Sequence, residues 1–366
     1  MTIHHHLILT SLLVFSAGIS PSRAHEAETN ADDYVPQIKL EPAAPVAKNR
    51  IGLSYRMGLN ITVDFNKLGG LALSDPGPAT GSAVNRNYDN GYNRVDSSGN
   101  SGGRTWYWGY QSSQSVQGGD LVLQSYATRA TASSKDRQED PQHGFEFNYQ
   151  RELLRKDHWR LGAEAALGYS HISIIDDRTL HNAVYRTNDT FALNGVIPPN
   201  SPYNGTFEGP GPIISSEPSS RTTDLLVGAA TITGKRELEA HVVTLRLGPY
   251  LELPVTDRFS VFFNGGLTLG VGHTTFSFNE TVVISDPAYD INLTSGRRSG
   301  SGSQTDFLIG GYAGAGLSYA LTEDVSLFTS AIYQAAGRTI DRERGKESIL
   351  DLGQSVIVAI GVSYSF

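Results

Sequence analysis

His171 and Ser173 stand two residues apart in the stretch SHIS, a spacing that puts an imidazole and a hydroxyl on one face of a strand. A serine nucleophile needs such a base, and an acid to orient the base. No acid is assignable here from spacing, and a polar pair on a strand face also serves as plain filling. A second set of residues is charged and falls on alternating positions: Arg56, Arg160 and Arg246 with Asp64, Glu146, Glu164 and Glu252. Opposite charges withdrawn from water must pair, because an isolated one is costly to desolvate. Asp96, Ser98 and Asn100 have the alternation of a calcium loop, but Tyr107 stands where that loop needs its bidentate carboxylate. The chain has no phosphate-binding glycine loop, no HExxH and no GxSxG. No metal and no cofactor is expected.

The elements that carry these residues repeat with period two. In 51–65, Leu53, Tyr55, Met57, Leu59, Ile61, Val63 and Phe65 share one face, and Arg56, Asn60 and Asp64 share the other. Similar alternation marks about 144–154, 159–175, 238–253, 259–276, 307–320, 325–338 and 355–366. Three connections are short: Leu153–Trp159, Leu253–Phe259 and Leu321–Leu327. The others, about 66–142, 176–235, 277–305 and 341–352, are long and alternate strictly with the short ones. All long connections therefore leave one side of the sheet. Two further strand-like stretches, Thr105–Gln111 and Asp120–Thr128, would raise the count from eight to ten if they formed another hairpin. Pro249 interrupts a strand where a ladder donor is lost, which predicts a bulge.

Composition limits the options. The chain has 366 residues, 39% hydrophobic and 18% charged, too apolar for disorder and too polar for a helical membrane protein. A net charge of −8 argues against a nucleic-acid partner. The absence of cysteine removes disulfides and thiolate metal sites. Leu7–Ile19 is an apolar run too short to span a bilayer, followed by Ser22-Arg23-Ala24, which predicts a cleaved secretory signal at 1–24. An acidic, aperiodic linker is expected at 25–49, and the strand-rich domain at 50–366.

Asymmetric connections on an even number of alternating strands are the mark of a bacterial outer-membrane barrel. The strands resemble those of the eight-stranded OmpA/OmpX-type outer-membrane proteins. The terminal VIVAIGVSYSF, with Val362, Tyr364 and Phe366 on one face, looks like the C-terminal signal of such proteins. The resemblance implies an all-β, closed antiparallel up-and-down transmembrane barrel, recognised by the barrel-assembly machinery and sealed between its first and last strands. It also implies outer-membrane lipid and lipopolysaccharide as surroundings. Tyr55, Tyr149, Trp159, Phe259, Tyr319, Tyr364 and Phe366 are expected in an aromatic girdle on the short-turn side.

Eight strands leave a lumen that side chains fill, so the seven charged residues are expected to form a plug of ion pairs; a gated pathway for small solutes is the alternative. The long loops are the expected working surface. Tyr88, Tyr92, Trp106 and Trp108 in the first and Tyr203 in the second are candidates for binding an extracellular ligand. They could equally pack on one another. Lipid A deacylases are similar in their His-x-Ser dyad, which implies a third, enzymatic reading, although Ile174-Ile175 replaces the Asn-Gly that follows the dyad in that family.

Overall fold

The computed structural model describes residues 48–366. The expected leader, and the linker up to residue 47, lie outside the described residues. Eight strands make a ring: β1 (Asn49–Leu59), β2 (Gln142–Lys156), β3 (Trp159–Asp176), β4 (Arg236–Pro254), β5 (Phe259–Asp286), β6 (Arg298–Ala320), β7 (Val325–Ala335) and β8 (Ser355–Ser365). Each pairs antiparallel with its neighbour in this sequence, and β8 pairs with β1 from Arg50↔Ser365 to Leu59↔Val356. Asn49 and Phe366 exchange both backbone hydrogen bonds, at 2.9 and 2.8 Å, so the first and last strands of the ring close the sheet.

The pairing fixes the tilt. Paired residues lead round the wall from Ile51 through Tyr149, Ala165, Leu247, Leu267 and Gly311 to Ala335. Continuing the last two ladders in register reaches Ile61. A stagger of about ten residues at about 3.3 Å, over eight strands about 4.8 Å apart, slopes the strands by about 40°.

Pro249 does not produce the expected bulge. It pairs with Ala163, and on its other side the ladder skips from Leu247↔Leu267 to Tyr250↔Asn264 without a change of register. Two chains approach closely there: a Cβ on Gly248 would stand 2.0 Å from the Gly265 carbonyl oxygen. The missing donor is tolerated in a gap rather than by an inserted residue.

The first strand is shorter than its alternation suggests. Asn60 takes a left-handed φ of 57°, and the chain resumes as Thr62–Leu68 in a separate four-stranded sheet with 132–137, 346–351 and 338–343. Leu53 and Tyr55 remain exposed on the ring, whereas Ile61, Val63 and Phe65 turn into a core. Strands β5 and β6 run farther than expected and shrink the third long connection to 287–297.

The long connections fold into a head. Ser220–Thr233, Leu180–Ala192 and Asp120–Thr128 form a sheet attached to the upper end of β5 through Ala230–Thr233. Residues 108–110 belong to another small head sheet, with 203–204, 91–93 and 86–88. The two extra strand-like stretches therefore belong to the head and not to the ring. The main core joins head and ring: Phe65, Tyr126, Val184 and Ile232 pack with Ile172, Leu238, Phe276, Ile284 and Leu308 from the ring strands.

Candidate functional site

Three zones along the ring carry the chemistry. The first is the interior. Glu146 lies between two guanidinium groups, with Arg246 Nη2 at 2.5 Å and Arg56 Nη1 at 3.5 Å. Arg56 also donates to the Thr244 hydroxyl at 3.3 Å, and Arg246 stacks 4.7 Å from the centre of the Tyr312 ring. Arg56 reaches across because residue 168 is glycine: a Cβ there would stand 1.9 Å from its Nη1. Glu164 accepts from Gln150 at 2.7 Å and from Asn264 at 3.0 Å. Glu252 holds Arg50 at 3.1 Å and Arg160 at 3.7 Å.

Six of the seven charged residues expected inside are therefore brought together: Arg56, Glu146, Arg160, Glu164, Arg246 and Glu252. Asp64 is not among them. It sits beyond the Asn60 break, on the head strand 62–68, and accepts from the Asp136 backbone N–H at 2.8 Å. Sequence reasoning missed Arg50, Gln150, Asn264 and Tyr312. Arg50 was legible as the inward neighbour of Ile51. The others are neutral: Gln150 alternates with Tyr149 on the polar face of its strand, and Asn264 and Tyr312 are identified by their contacts with Glu164 and Arg246. The cavity among these groups measures about 20 Å³, room for one or two waters. Above it, Ile172, Ile174, Leu238, Phe276 and Leu308 fill the ring with hydrocarbon.

The second zone is the outer wall, where each strand changes character at one level. On β5, Phe263, Leu267, Leu269 and Val271 are exposed outward, while the small or polar Gly266, Thr268 and Gly270 face inward. Past His273 the arrangement inverts: Phe276 and Phe278 are buried inward, and Thr275 and Ser277 face out. On β3 the outward run Leu167, Tyr169 gives way to His171 and Ser173, while the inward series passes from Glu164 to Ile172 and Ile174. On β4 the change falls between Val243 and His241, and on β6 between Phe307 and Thr305.

These turning points are cross-strand partners. Met57, His143, His171, His241, His273 and Thr305 pair in one unbroken line. Tyr hydroxyls rise to it from the row below: Tyr55 bonds His143 Nδ1, and Tyr169 bonds His241 Nδ1 at 2.8 Å. Tyr55 thus belongs to the head-side boundary and not to the short-turn side, where Tyr149, Tyr319, Tyr364 and Phe366 are exposed. Val362 and Tyr364 point outward on β8 beside Phe366, whose ring stacks on Tyr364.

His171 and Ser173 lie on this wall. The imidazole Nε2 meets the Glu239 carboxylate at 3.0 Å, and Glu239 is the residue directly opposite Ser173. An acid absent from the local sequence is supplied by the neighbouring strand.

The third zone is the head. Tyr88 and Trp108, expected on a recognition surface, are interior: Trp108 is 0% exposed and Tyr88 5%. Burial and the Asp189 carboxylate beside it push the Tyr88 phenol well above its ordinary pKa, so it remains a donor to Asp189. Tyr203 packs edge-on to Trp108 at 4.8 Å, and Tyr92 donates to the Gly205 carbonyl at 2.8 Å. Trp106, half-buried, donates to the Phe207 carbonyl at 3.1 Å. These rings join the first long connection to the second. Asp96 anchors the same loop: its carboxylate accepts from Ser98, Asn100 and the Trp106 backbone.

No protein-family description matches the chain, and no characterised protein of similar sequence was found. Among solved structures, the attachment invasion locus protein Ail of Yersinia pestis is 11% identical, with a TM-score of 0.27 over 87% of this chain and 99% of that one. The outer membrane protease OmpT from Escherichia coli is 11% identical, with a TM-score of 0.30 over 87% and 96%. A Pseudomonas aeruginosa FadL homologue is 8% identical, with a TM-score of 0.16 over 87% and 90%.

Proposed function

We propose that the chain is a β-barrel of the bacterial outer membrane, closed to solutes, that holds a folded head at the cell surface in a structural or surface-recognition role. The observation that carries this reading is the reversal of apolar faces along the histidine line. Below it, exposed side chains such as Leu53, Leu267 and Ile309 (62, 64 and 74% exposed) need a hydrocarbon surrounding. Above it the wall is polar, and the apolar residues turn inward to support the head. From Phe259 to Val271 the outward apolar run covers twelve steps, about 40 Å along the strand and about 30 Å along the axis at the tilt derived above, which matches a bilayer core.

The interior supports closure at two depths: ion pairs at the level of the apolar band, and a hydrocarbon core above them. Lipopolysaccharide would face the histidine line, the assembly machinery would engage β8 through Val362, Tyr364 and Phe366, and a ligand would meet the outer surface of the head. Purified barrel in planar bilayers is expected to show no steady conductance. A defined single-channel conductance that disappears on neutralising Arg160 or Glu164 would establish the channel reading instead.

The lipid-modifying alternative draws on one specific observation: Glu239, His171 and Ser173 share a patch at the lipid boundary. A Ser173→Ala variant tests it through the acyl pattern of lipid A. An unchanged pattern removes that reading and leaves the structural one standing.

A further inference from the structure

We infer that His171, Glu239 and His241 form a binding site for a divalent transition-metal ion of the zinc type on the outer wall of the barrel. Three facts on adjacent strands meet here. The ligand atoms of all three residues lie within 4.8 Å of one another. One Glu239 oxygen stands 3.0 Å from His171 Nε2 and 3.8 Å from His241 Nε2. Four donors arranged tetrahedrally at about 2.0–2.1 Å from zinc are roughly 3.3–3.4 Å apart, so both carboxylate edges are within about half an ångström of what the ion requires, and the edge between the two imidazoles is no longer than 4.8 Å.

The donor set selects the ion. Two imidazoles and a carboxylate suit zinc, copper or nickel, whereas calcium and magnesium take oxygen cages. Three protein donors leave a fourth tetrahedral position for water. The backbone makes the cluster firm: His171↔His241 and Ser173↔Glu239 are paired residues on β3 and β4, and Glu239 and His241 share the outward face of β4. The two rings are already stacked, with centroids 4.9 Å apart.

An outer partner orients one ligand. Tyr169 Oη lies 2.8 Å from His241 Nδ1. When the phenol oxygen accepts from Nδ1–H, the Nε2 lone pair is left free toward Glu239, the arrangement that histidine ligands generally need. At His171 the ion takes the place of the Nε2–H···Glu239 hydrogen bond: the ring changes tautomer, its proton moving to Nδ1 by exchange with solvent, so that Nε2 presents its lone pair and the imidazole stays neutral. The inference is independent of the enzymatic alternative above: it needs His241, which a Ser–His–acid set does not, and it makes no use of Ser173.

The test is zinc titration of the full-length protein in detergent by calorimetry, with cobalt absorption as a spectroscopic readout. The chain also carries His4-His5-His6, so the quantity measured is the single equivalent that disappears in variants. His171→Ala, His241→Ala and Glu239→Gln are each expected to weaken that equivalent tenfold or more, and Tyr169→Phe by about tenfold. The cobalt band should fall in step. His273→Ala is expected to retain it. Heat-modifiable migration identical to that of the parent protein shows that each variant is folded. Unchanged zinc stoichiometry and affinity in folded His171→Ala/His241→Ala overturns the proposal, as does an equal loss in His273→Ala.

Discussion

Arginine placed at two depths on one strand face measures what covers that face. Leu267 is 64% exposed near the middle of the outward apolar run of β5, and Thr275 lies eight residues on, past His273. If hydrocarbon surrounds Leu267, Leu267→Arg costs about 2–4 kcal/mol, while a site near the interface costs about 0–1 kcal/mol. The difference of about 2–3 kcal/mol changes the folded-to-unfolded ratio by roughly 30–150-fold. Neither substitution touches the interior, so both leave the ion pairs and the head core intact. Reversible denaturant unfolding in phospholipid vesicles reads the two variants against the parent protein. Equal costs at both positions, or a neutral Leu267→Arg, would refute the argument, since a wall wetted by water or covered by another protein has no such depth profile.

Three further outcomes follow from the interior and the head. Glu146→Gln leaves Arg56 and Arg246 facing each other without a counter-charge and is expected to cost about 3–5 kcal/mol, whereas Glu164→Gln, whose partners are amides, should cost less; the same vesicle unfolding separates them. Phe276→Ala, at 0% exposure, should cost about 3–5 kcal/mol and open the head to protease while the barrel still shows heat-modifiable migration. At Asp176 burial pushes the carboxyl up, but hydrogen bonds from Ser134 and Arg178 and the charge of Arg236 outweigh it and hold it below its ordinary range. A depressed folded pKa means that this contribution is present above the ordinary carboxylate value of about 3.9 and is lost as pH falls through the folded value. Limited proteolysis across pH 2–5 (an approximate window) should show the head loosening at the acid end, and Asp176→Asn should flatten that profile.

The ring was legible because its signal is local. Leu161 to Leu167 or Val356 to Phe366 display period two within a few residues, and the short turns stand between such runs. The head was not legible for the opposite reason. Many of its strands pair over long separations, as when Thr105 meets Ile214 or Tyr110 meets Tyr203, and half are only two or three residues long. Aromatic residues in a polar, glycine-rich stretch look exposed until their partners from another connection are known. Trp108 is the sharpest case: its indole N–H donates to the Pro212 carbonyl 2.8 Å away, a contact no spacing reveals.

The same strand pattern also explains why Asp64 was misplaced. Alternation from Leu53 to Phe65 is unbroken in composition, yet the meaning of the apolar face changes at Asn60, from exposed to core-facing. Strands β3, β4 and β5 make that change without a break, by keeping their geometry and exchanging which face is apolar. β1 makes it with a left-handed residue and a new sheet. In both solutions strand pairing resumes past the exchange, as a wall passing from hydrocarbon to water would require. On the proposed membrane reading, the level of the exchange marks the bilayer surface, written into four strands as a histidine and into a fifth as Thr305. The proposed metal site lies at that level, where on the same reading the wall is first wet and charged ligands are accessible without entering either the apolar band or the core of the head.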